Sequence, residues 1–396
     1  MTLTPANPVT AAELDAALPA VLAAPHDAGA VRLLCARPKP NARIFPDRLI
    51  FRPHVKQVME RYLDCGNLFN GFARIKCEDC NHEYLLAFSC KRRQFCPSCH
   101  QKRVVELGEW LCQNVIKAVP HRHFVFSIPK ILRRYFLYDR SLLLELSRCI
   151  WETLKIYYQQ GAPGKNSVPG AVIALQTFGD FLGFNPHGHV LVTDGCFPEK
   201  GLFKVVPTVK LKYLEKIFRS KVLTLLLAKG KITPDLIKLL KSWRHSGFQV
   251  FCGPRIHPRE KASMENLSRY IIRASFSQER LTYLPEEPRI LYRSKDNRQE
   301  KAFDALEWLA AMTSHIPDQG QQMVRYYGFY SNVSRGRRQK EKADGFIPCV
   351  LEAEENAQPN GAELRMPLPG PFFFRSLSCL PAFGPIFLLD RVFSSP

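Results

Sequence analysis

Two histidines separated by a single residue, His187 and His189, could hold a divalent metal ion. They lie between two turn signals, Asn185-Pro186 and Asp194-Gly195, in an apolar, β-branched stretch that predicts a buried strand. Side chains on a strand alternate between its faces, so both imidazoles point the same way. A pair of ordinary strand histidines is the alternative. A metal held by two histidines keeps open positions and can act as a Lewis acid on a phosphodiester.

A third ligand should come from a neighbouring strand. Gln176 is a polar, ligand-capable side chain in the apolar run 171–178, although a hydrogen bond to a strand edge is an alternative role for it. A second pair, His121 and His123, also begins an apolar strand, and periodicity does not separate the two pairs. The tight turns around His187 and His189 favour that pair, which leaves His121 and His123 for packing or DNA contact.

Residues 258–273 have the pattern of a helix that carries a candidate nucleophile, Tyr270. Arg273 lies three residues further on and Asn266 four residues earlier, so both share a helix face with Tyr270. A tyrosine hydroxyl beside a cation can attack a phosphorus whose charge a metal neutralises. The alternative is a half-buried tyrosine of the core.

The sequence contains two C-x2-C pairs, Cys77 with Cys80 and Cys96 with Cys99, separated by 15 residues. This spacing is typical of a zinc ribbon, in which four thiolates bind one tetrahedral zinc ion. The sequence leaves the roles of four further residues open: Cys65, His82, Cys90 and His100. A structural zinc would contribute on the order of 10 kcal/mol to folding so small a module.

Two basic segments are candidates for contact with phosphates. The first belongs to the cysteine module and contains Lys91, Arg92, Arg93, Lys102 and Arg103. The second, 326–342, interleaves aromatic residues with cations that include Arg335, Arg337 and Arg338. Aromatic rings stack on unpaired bases while cations follow the backbone, so this segment predicts contact with single-stranded DNA. Solvated loops and a core helix end are the alternatives.

The composition agrees with a polyanionic partner. The chain has 396 residues, a formal charge of +20 and a pI near 9.5, which indicate nucleic acid or an anionic membrane surface. No run of 18 apolar residues predicts a transmembrane helix, and the first residues lack a secretory signal. Thirteen cysteines without a signal peptide indicate a reducing cytoplasm, where clustered cysteines bind metals.

The predicted fold class is α+β. A flexible leader is expected at 1–45, a zinc-binding and DNA-binding domain at 46–115, and a catalytic domain at 116–345. The last stretch, 346–396, turns acidic and then rich in Pro and Phe. Helices are predicted at 46–64, 104–119, 138–160, 208–228, 234–243 and 259–273, and strands at 123–128, 171–178, 188–193 and 248–252.

Five motifs in this order resemble the rolling-circle transposases of bacterial insertion sequences, the HUH-endonuclease group with an N-terminal zinc-binding domain. They are SCKRRQFCPSCHQKR, HRHFVFSIPK, QTFGDFLGFNPHGHVLVTDG, SRYIIRASFSQERL and HIPDQGQQMVRYYGFYSNVSRGRRQK. The resemblance covers roughly 45–345. It implies a zinc ribbon followed by an HUH-like antiparallel sheet with flanking helices.

The resemblance also implies a chemistry. His187 and His189 would bind Mg²⁺ or Mn²⁺, and Gln176 becomes the better candidate for the third ligand because relatives often have a histidine there. Tyr270 would form a 5′-phosphotyrosine link and release a 3′-OH, and Arg273 would steady the scissile phosphate. The substrate would be single-stranded DNA at the element ends.

The sequence departs from the family pattern at three places. Gly188 replaces a usually bulky apolar residue, which weakens the strand locally. Asn266 replaces the first of two tyrosines, which indicates the single-tyrosine branch. The last residues, 346–396, lack a further C-P-x-C motif and are expected to be truncated or frameshifted. A replication-initiation nickase and a catalytically decayed nucleic-acid-binding protein are the alternative functions.

Overall fold

The structure is a computed structural model, and it describes residues 52–351 except 93, 165, 199–200, 207, 285 and 342–347. The predicted leader lies outside the described residues, and so do Arg93 and all of the predicted tail except 348–351. Within the described residues the chain is α+β with antiparallel pairing in its largest sheet, which confirms the predicted fold class at that level.

The central sheet has five strands in the order β12-β4-β5-β3-β8, and every neighbouring pair is antiparallel. Its strands are β3 (His121–Ser127), β4 (Gly170–Phe178), β5 (Phe184–Thr193), β8 (Gln249–Ile256) and β12 (Val324–Gly328). β5 is the middle strand, and it carries the histidine pair. The predicted strands at 123–128, 171–178, 188–193 and 248–252 are confirmed, with β5 and β8 longer than predicted.

One face of the sheet is buried under helices. These are α3 (Lys130–Tyr138), α4 (Ser141–Gly161), α5 (Leu211–Ala228) and α6 (Pro234–Ser242), of which the sequence did not predict α3. The shared core includes Phe124, Ile150, Val190, Val192 and Phe218, all fully buried. Gly188 points to this face, and the Cδ1 atom of Ile150 occupies the space that a side chain at Gly188 would need. The glycine therefore lets α4 approach β5 closely.

The opposite face carries the histidines and is covered by two helices, α2 (Pro97–Asn114) and α7 (Lys261–Tyr270). Leu111 of α2 and Met264 of α7 pack with Leu191 of the sheet in one buried cluster. α2 begins earlier than the predicted helix at 104–119, since Pro97 occupies its first turn, where a missing N–H costs no hydrogen bond.

The cysteine module precedes α2. It consists of α1 (Pro53–Leu63), which agrees with the predicted helix at 46–64 over the described residues, and the hairpin of β1 (Phe72–Lys76) and β2 (Glu83–Ala87). Its core is continuous with a later part of the chain, because Tyr62 and Phe95 belong to the same buried cluster as Tyr292 and Trp308.

The rest of the described chain forms two small sheets and two helices. One sheet has the order β11-β10-β9, and the other the order β13-β7-β6. Their strands are β6 (Gly195–Cys196), β7 (Leu202–Val205), β9 (Leu281–Leu284), β10 (Arg289–Arg293), β11 (Glu300–Asp304) and β13 (Cys349–Leu351), and the helices are α8 (Ala305–Ser314) and α9 (Asn332–Lys340). None of the helices in the described residues combines the length and the apolar character needed to span a membrane.

Candidate active site

The histidine pair lies on β5 with free ligand atoms. His187 and His189 are both buried, and their ring centroids are 5.0 Å apart. Nδ1 of His187 donates a hydrogen bond to the carbonyl oxygen of Asn185 at 2.7 Å, which fixes the tautomer and leaves the Nε2 lone pair available. Nε2 of His189 is buried and has no hydrogen-bond partner among the described residues.

His123 belongs to this cluster, although the sequence favoured packing or DNA contact for it. Nε2 of His123 is 3.0 Å from Nδ1 of His189, and the two rings stack with their centroids 5.2 Å apart. This hydrogen bond engages Nδ1 of His189. It leaves Nε2 of His189 as the ring nitrogen that could bind a metal ion. The adjacent antiparallel strand, β3, could have suggested the contact, because strand neighbours bring such side chains together.

Gln176 is the cross-strand neighbour of His187 in the β4–β5 register. Its Nε2 donates to the carbonyl oxygen of Ile271 at 2.9 Å, and this bond fixes the side-chain amide. Its Oε1 is buried and has no partner among the described residues. A buried carbonyl oxygen without a hydrogen bond is costly, and a cation would satisfy it.

Burial keeps the three imidazoles neutral. Desolvation lowers the pKa of His123 to about 4 and also lowers the pKa of His187. It lowers the pKa of His189 to about 2, with the neighbouring His187 and His123 adding to the effect. A neutral imidazole is the form that binds a metal ion, so the histidines are ready to bind one at neutral pH.

Tyr270 stands over the histidines at the last residue of α7. Its ring centroid lies 5.5 Å from that of His189 and 6.2 Å from that of His123, and the side chain is 38% exposed. The guanidinium carbon of Arg273 lies 4.9 Å from the centroid of the Tyr270 ring, and Nζ of Lys295 lies 5.6 Å from it. α7 ends at Tyr270, so Arg273 reaches the tyrosine from the following turn and not from the predicted longer helix.

Tyr270 faces a groove of about 1020 Å³. α2 supplies one wall, through Ser98, Gln101 and Lys102, and residues 273–281 supply much of the other. Arg273, Arg280 and Lys295 add positive charge to the lining. The arrangement therefore joins a candidate nucleophile, candidate metal-ligand atoms and a groove lined by several cations.

Four cysteines near the start of α2 form a cluster that could hold a metal ion. The Sγ–Sγ distances are 3.8 Å for Cys65–Cys96, 3.7 Å for Cys65–Cys99 and 3.6 Å for Cys90–Cys99. Tetrahedral zinc with Zn–S bonds of ~2.3 Å requires sulfur atoms ~3.8 Å apart. Backbone N–H groups of Cys90 and Arg92 point to the sulfurs of Cys65 and Cys90, as thiolates would require. The set fits one structural zinc ion.

This set corrects the predicted grouping. Cys96 and Cys99 are in it, but Cys77 and Cys80 are not, and Cys65 and Cys90 take their places. The physical reason is the hairpin, because Cys65 and Cys90 flank its base whereas Cys77 and Cys80 lie at its tip. Strands of five residues separate tip and base by roughly 17 Å. At the tip the Cys77 thiol has a lowered pKa through hydrogen bonds with the backbone and side chain of Cys80.

His100 connects the zinc centre with the tyrosine helix. Its Nδ1 accepts a hydrogen bond from the backbone N–H of Gln94, so its Nε2 donates to the carbonyl oxygen of Ile272 at 2.8 Å. Ile272 follows Tyr270 by two residues. The module that carries the clustered cysteines is thereby joined to the segment that follows Tyr270, the candidate nucleophile.

The second basic segment is mostly engaged with the protein itself. Tyr330 is one of the aromatic residues of 326–342 that were predicted to stack on bases. It is fully buried and its hydroxyl lies 2.7 Å from Nε2 of His121, so the prediction is wrong for this residue. The guanidinium carbon of Arg335 lies 5.0 Å from the centroid of the Trp110 ring. That of Arg338 lies 3.8 Å from the centroid of the Phe329 ring. Arg337 is exposed.

Two sequence families match the chain. The model described as "Transposase zinc-binding domain" matches residues 42–128. The model described as "Putative transposase" matches residues 170–338, which include the histidine strand and Tyr270. The chain is therefore similar to transposases over both regions. The predicted resemblance is thereby confirmed, and DNA is the substrate on which transposases act.

Two relatives agree with the resemblance to transposases. The chain is 27% identical over 325 residues to the "Transposase for insertion sequence element IS801" of Pseudomonas savastanoi pv. phaseolicola, which covers 76% of the chain and 75% of the relative. It is 25% identical over 297 residues to the "Putative transposase y4qJ" of Sinorhizobium fredii, over 67% of the chain and 71% of the relative. No solved structure matches the chain significantly.

Proposed function

We propose that this protein cuts and rejoins single-stranded DNA at the ends of an insertion sequence, through a 5′-phosphotyrosine intermediate on Tyr270. The observation that carries the proposal is that Tyr270 packs on His189, which belongs to a group of three residues with ligand-capable atoms. These are Nε2 of His187, Nε2 of His189 and Oε1 of Gln176, of which the last two are buried without a partner among the described residues.

A divalent ion of the Mg²⁺ or Mn²⁺ type on these atoms would act as a Lewis acid on a phosphodiester oxygen. Carboxamide oxygen and imidazole nitrogen are ligands that such ions accept. His123 would position His189 from behind, as residues that hydrogen-bond a ligating histidine commonly do.

The phenol oxygen of Tyr270 attacks phosphorus, and the phosphorus–O3′ bond breaks. The phenol loses a proton and the departing 3′ oxygen gains one, so the step balances as an exchange of one phosphoester for another. Arg273 and Lys295, both beside the Tyr270 ring, would neutralise charge that develops on the phosphoryl oxygens. The free 3′-OH can then attack the phosphotyrosine of another strand or prime synthesis.

The cations of the active-site groove would hold the substrate strand. Lys102 of the predicted basic set lines this groove, and Arg280 lies across from it on the far wall. Zinc on Cys65, Cys90, Cys96 and Cys99 would have a structural role, since all four ligand positions belong to the protein. A cytoplasmic location follows from a DNA substrate and from reduced cysteine ligands.

The test is a cutting assay with the purified full chain, Mn²⁺ and labelled single-stranded oligonucleotides that carry the terminal sequences of the encoding element. We expect a cut and a protein–DNA adduct, both absent in Tyr270→Phe. Tyr138→Phe is the matched control, because Tyr138 is 74% exposed and lies outside the groove. Cutting by Tyr270→Phe would refute the nucleophile, and DNA binding without any cut would indicate the decayed binding protein.

A further inference from the structure

A second basic cleft lies beside the active-site groove. Its volume is about 950 Å³, and it is bounded by the cysteine module, α4, β12 and the start of α9. Among the described residues, five Lys or Arg side chains line it, against a single carboxylate, that of Asp318. The five cations are Lys91, Arg92, Arg103, Arg148 and Arg325. We call this feature the edge cleft, because β12 is the outermost strand of the central sheet on that side.

The charge of the edge cleft is poorly compensated from within the protein. The one carboxylate, Asp318, is bound by Arg52, which does not line the cleft. Nε of Arg92 and Nε of Arg325 are buried and without a hydrogen-bond partner among the described residues. Two buried guanidinium nitrogens without a partner among the described residues belong to side chains that line one cleft, and an anionic ligand would satisfy them.

Two of the other cations of the cleft, Arg103 and Arg148, have only weak partners. Arg103 meets Glu106 at 3.9 Å, and Arg148 meets Glu145 at 2.8 Å, both at a helical spacing of three residues on the surface. Exposed pairs of this kind contribute little, so both cations can turn to a stronger anionic partner.

The edge cleft and the active-site groove flank the same turns of α2. His100 and Arg103 line the edge cleft, whereas Gln101 and Lys102 line the active-site groove. Consecutive residues of a helix point ~100° apart, so the adjacent Lys102 and Arg103 face different cavities. A polymer that leaves one groove across α2 enters the other.

We infer that the edge cleft holds a continuation of the same DNA single strand whose scissile phosphate lies at Tyr270. The position of the strand relative to Tyr270 rests on the proposed function. The anionic nature of the ligand rests on the charge of the cleft. A single strand fits because its flexible backbone can follow a concave channel and bring successive phosphates to the cations that line it. The strand would pass around the first turns of α2, with phosphates on Arg92 and Arg325.

The test measures binding of fluorescent oligothymidylates of increasing length to the full chain, over the ~4–16 nucleotide range in which single-strand sites are filled. The variant Arg92→Ala/Arg325→Ala should bind the shortest ligands as the wild type does. For the long ligands, its affinity should be lower than that of the wild type by about tenfold for each cation removed, so the gain in affinity with length is lost. The slope of log affinity against log salt should fall by ~1.4 for the long ligands.

Three controls separate the possible failures. Lys238→Ala/Arg244→Ala removes two exposed cations outside both cavities and should change neither the length dependence nor the slope. Arg92→Lys/Arg325→Lys should keep most of the slope, which a merely structural role of the arginines would not predict. Tyr270→Phe should keep the full length dependence, so loss of cutting and loss of cleft binding are distinguishable.

An unchanged length dependence in Arg92→Ala/Arg325→Ala would overturn the inference. So would an equal loss for the shortest ligands, because the two arginines would then act at the active-site groove. Competition by a blunt duplex as strong as that by the long single strand would exclude the single strand as occupant.

Discussion

Nε2 of His100 donates a hydrogen bond to the carbonyl oxygen of Ile272, and this bond joins the zinc-binding helix to the chain just beyond Tyr270. The same ring accepts from the N–H of Gln94, so both of its nitrogens are used and the residue is 3% exposed. The helix that carries Cys99 of the cysteine cluster is therefore joined to the segment that follows Tyr270, the proposed nucleophile.

His100→Phe should impair cutting without removing zinc. The substitution leaves the carbonyl of Ile272 and the N–H of Gln94 without their partner, at a cost of ~1–3 kcal/mol for each buried group. Zinc content by atomic spectroscopy should stay at the wild-type value, while the rate of cutting falls. His245→Phe, at an exposed histidine, should be neutral in both measurements. Unimpaired cutting by His100→Phe would show that the link does not position Tyr270.

Zinc stoichiometry should distinguish the two sets of cysteines. Cys65→Ser removes one of four clustered thiols and should abolish tight zinc binding and unfold the module, because structural zinc supplies ~10 kcal/mol or more of folding free energy. Cys77→Ser should keep the zinc ion at the Cys65 cluster. Loss of that ion in Cys77→Ser, with retention in Cys65→Ser, would restore the grouping that the spacing predicted.

His123→Ala should lower the affinity of the proposed catalytic site for its metal ion, although His123 is not itself a proposed ligand. Removal of a residue that hydrogen-bonds a ligating histidine typically costs ~10–100-fold in metal affinity. The Mn²⁺ concentration for half-maximal cutting should therefore rise by that factor, and saturating Mn²⁺ should recover most of the rate. Gln176→Ala, which removes a proposed ligand atom, should recover less. The opposite order would make His123 the third ligand.

Gly188 and Ile150 should be energetically coupled. Gly188→Ala adds a methyl group where Ile150 Cδ1 already lies, and overpacking of a core typically costs ~1–3 kcal/mol. Ile150→Val removes that Cδ1 atom, so Gly188→Ala should cost less in the Ile150→Val background. A double-mutant cycle on the free energy of unfolding measures the coupling. Additive effects would contradict the close approach of α4 to β5.

The stability of the fold should fall in mild acid, in part through His315. Its ring is 2% exposed and bonds Thr177 and the carbonyl of Leu182, and burial lowers its pKa to about 4. In the unfolded chain the pKa returns to ~6.5, so the unfolded chain binds more protons between the two values. The stabilisation is complete above ~pH 6.5 and decreases as the pH falls toward 4.

His315→Gln should make that decline shallower by up to ~1.4 kcal/mol per pH unit. Urea unfolding of both proteins between ~pH 7 and 5 measures the two slopes. Equal slopes in the two proteins would mean that His315 is not neutral in the fold.

The sequence predicted the elements of the active site well because each depends on local periodicity. The alternation around His187 and His189 predicted β5, and the helical spacing around Tyr270 predicted α7. The metal set His187, His189 and Gln176, the role of Arg273, and the division into domains at 46–115 and 116–345 stay predictions, although the geometry supports the metal set.

The missed features depend on contacts between residues far apart in the chain. The pairing of β3 with β5 brings His123 to His189, and the hairpin brings Cys65 to Cys90 while it carries Cys77 and Cys80 away. The C-x2-C spacing detects cysteines that are close in the sequence. It does not detect cysteines that a hairpin brings together from distant positions. The pattern of alternating aromatic and basic residues likewise did not predict that Tyr330 is buried under α2.

The hydrogen bond from His100 to Ile272 also bears on how such proteins can be recombined. A zinc module that touched only DNA could be exchanged for another to redirect the enzyme to a new sequence. Here the module shares a buried core with Trp308 and anchors the chain behind the tyrosine, so a grafted module would have to reproduce both surfaces. Retargeting by domain exchange should fail in this architecture, and changes confined to the exposed tip of the hairpin offer the safer route.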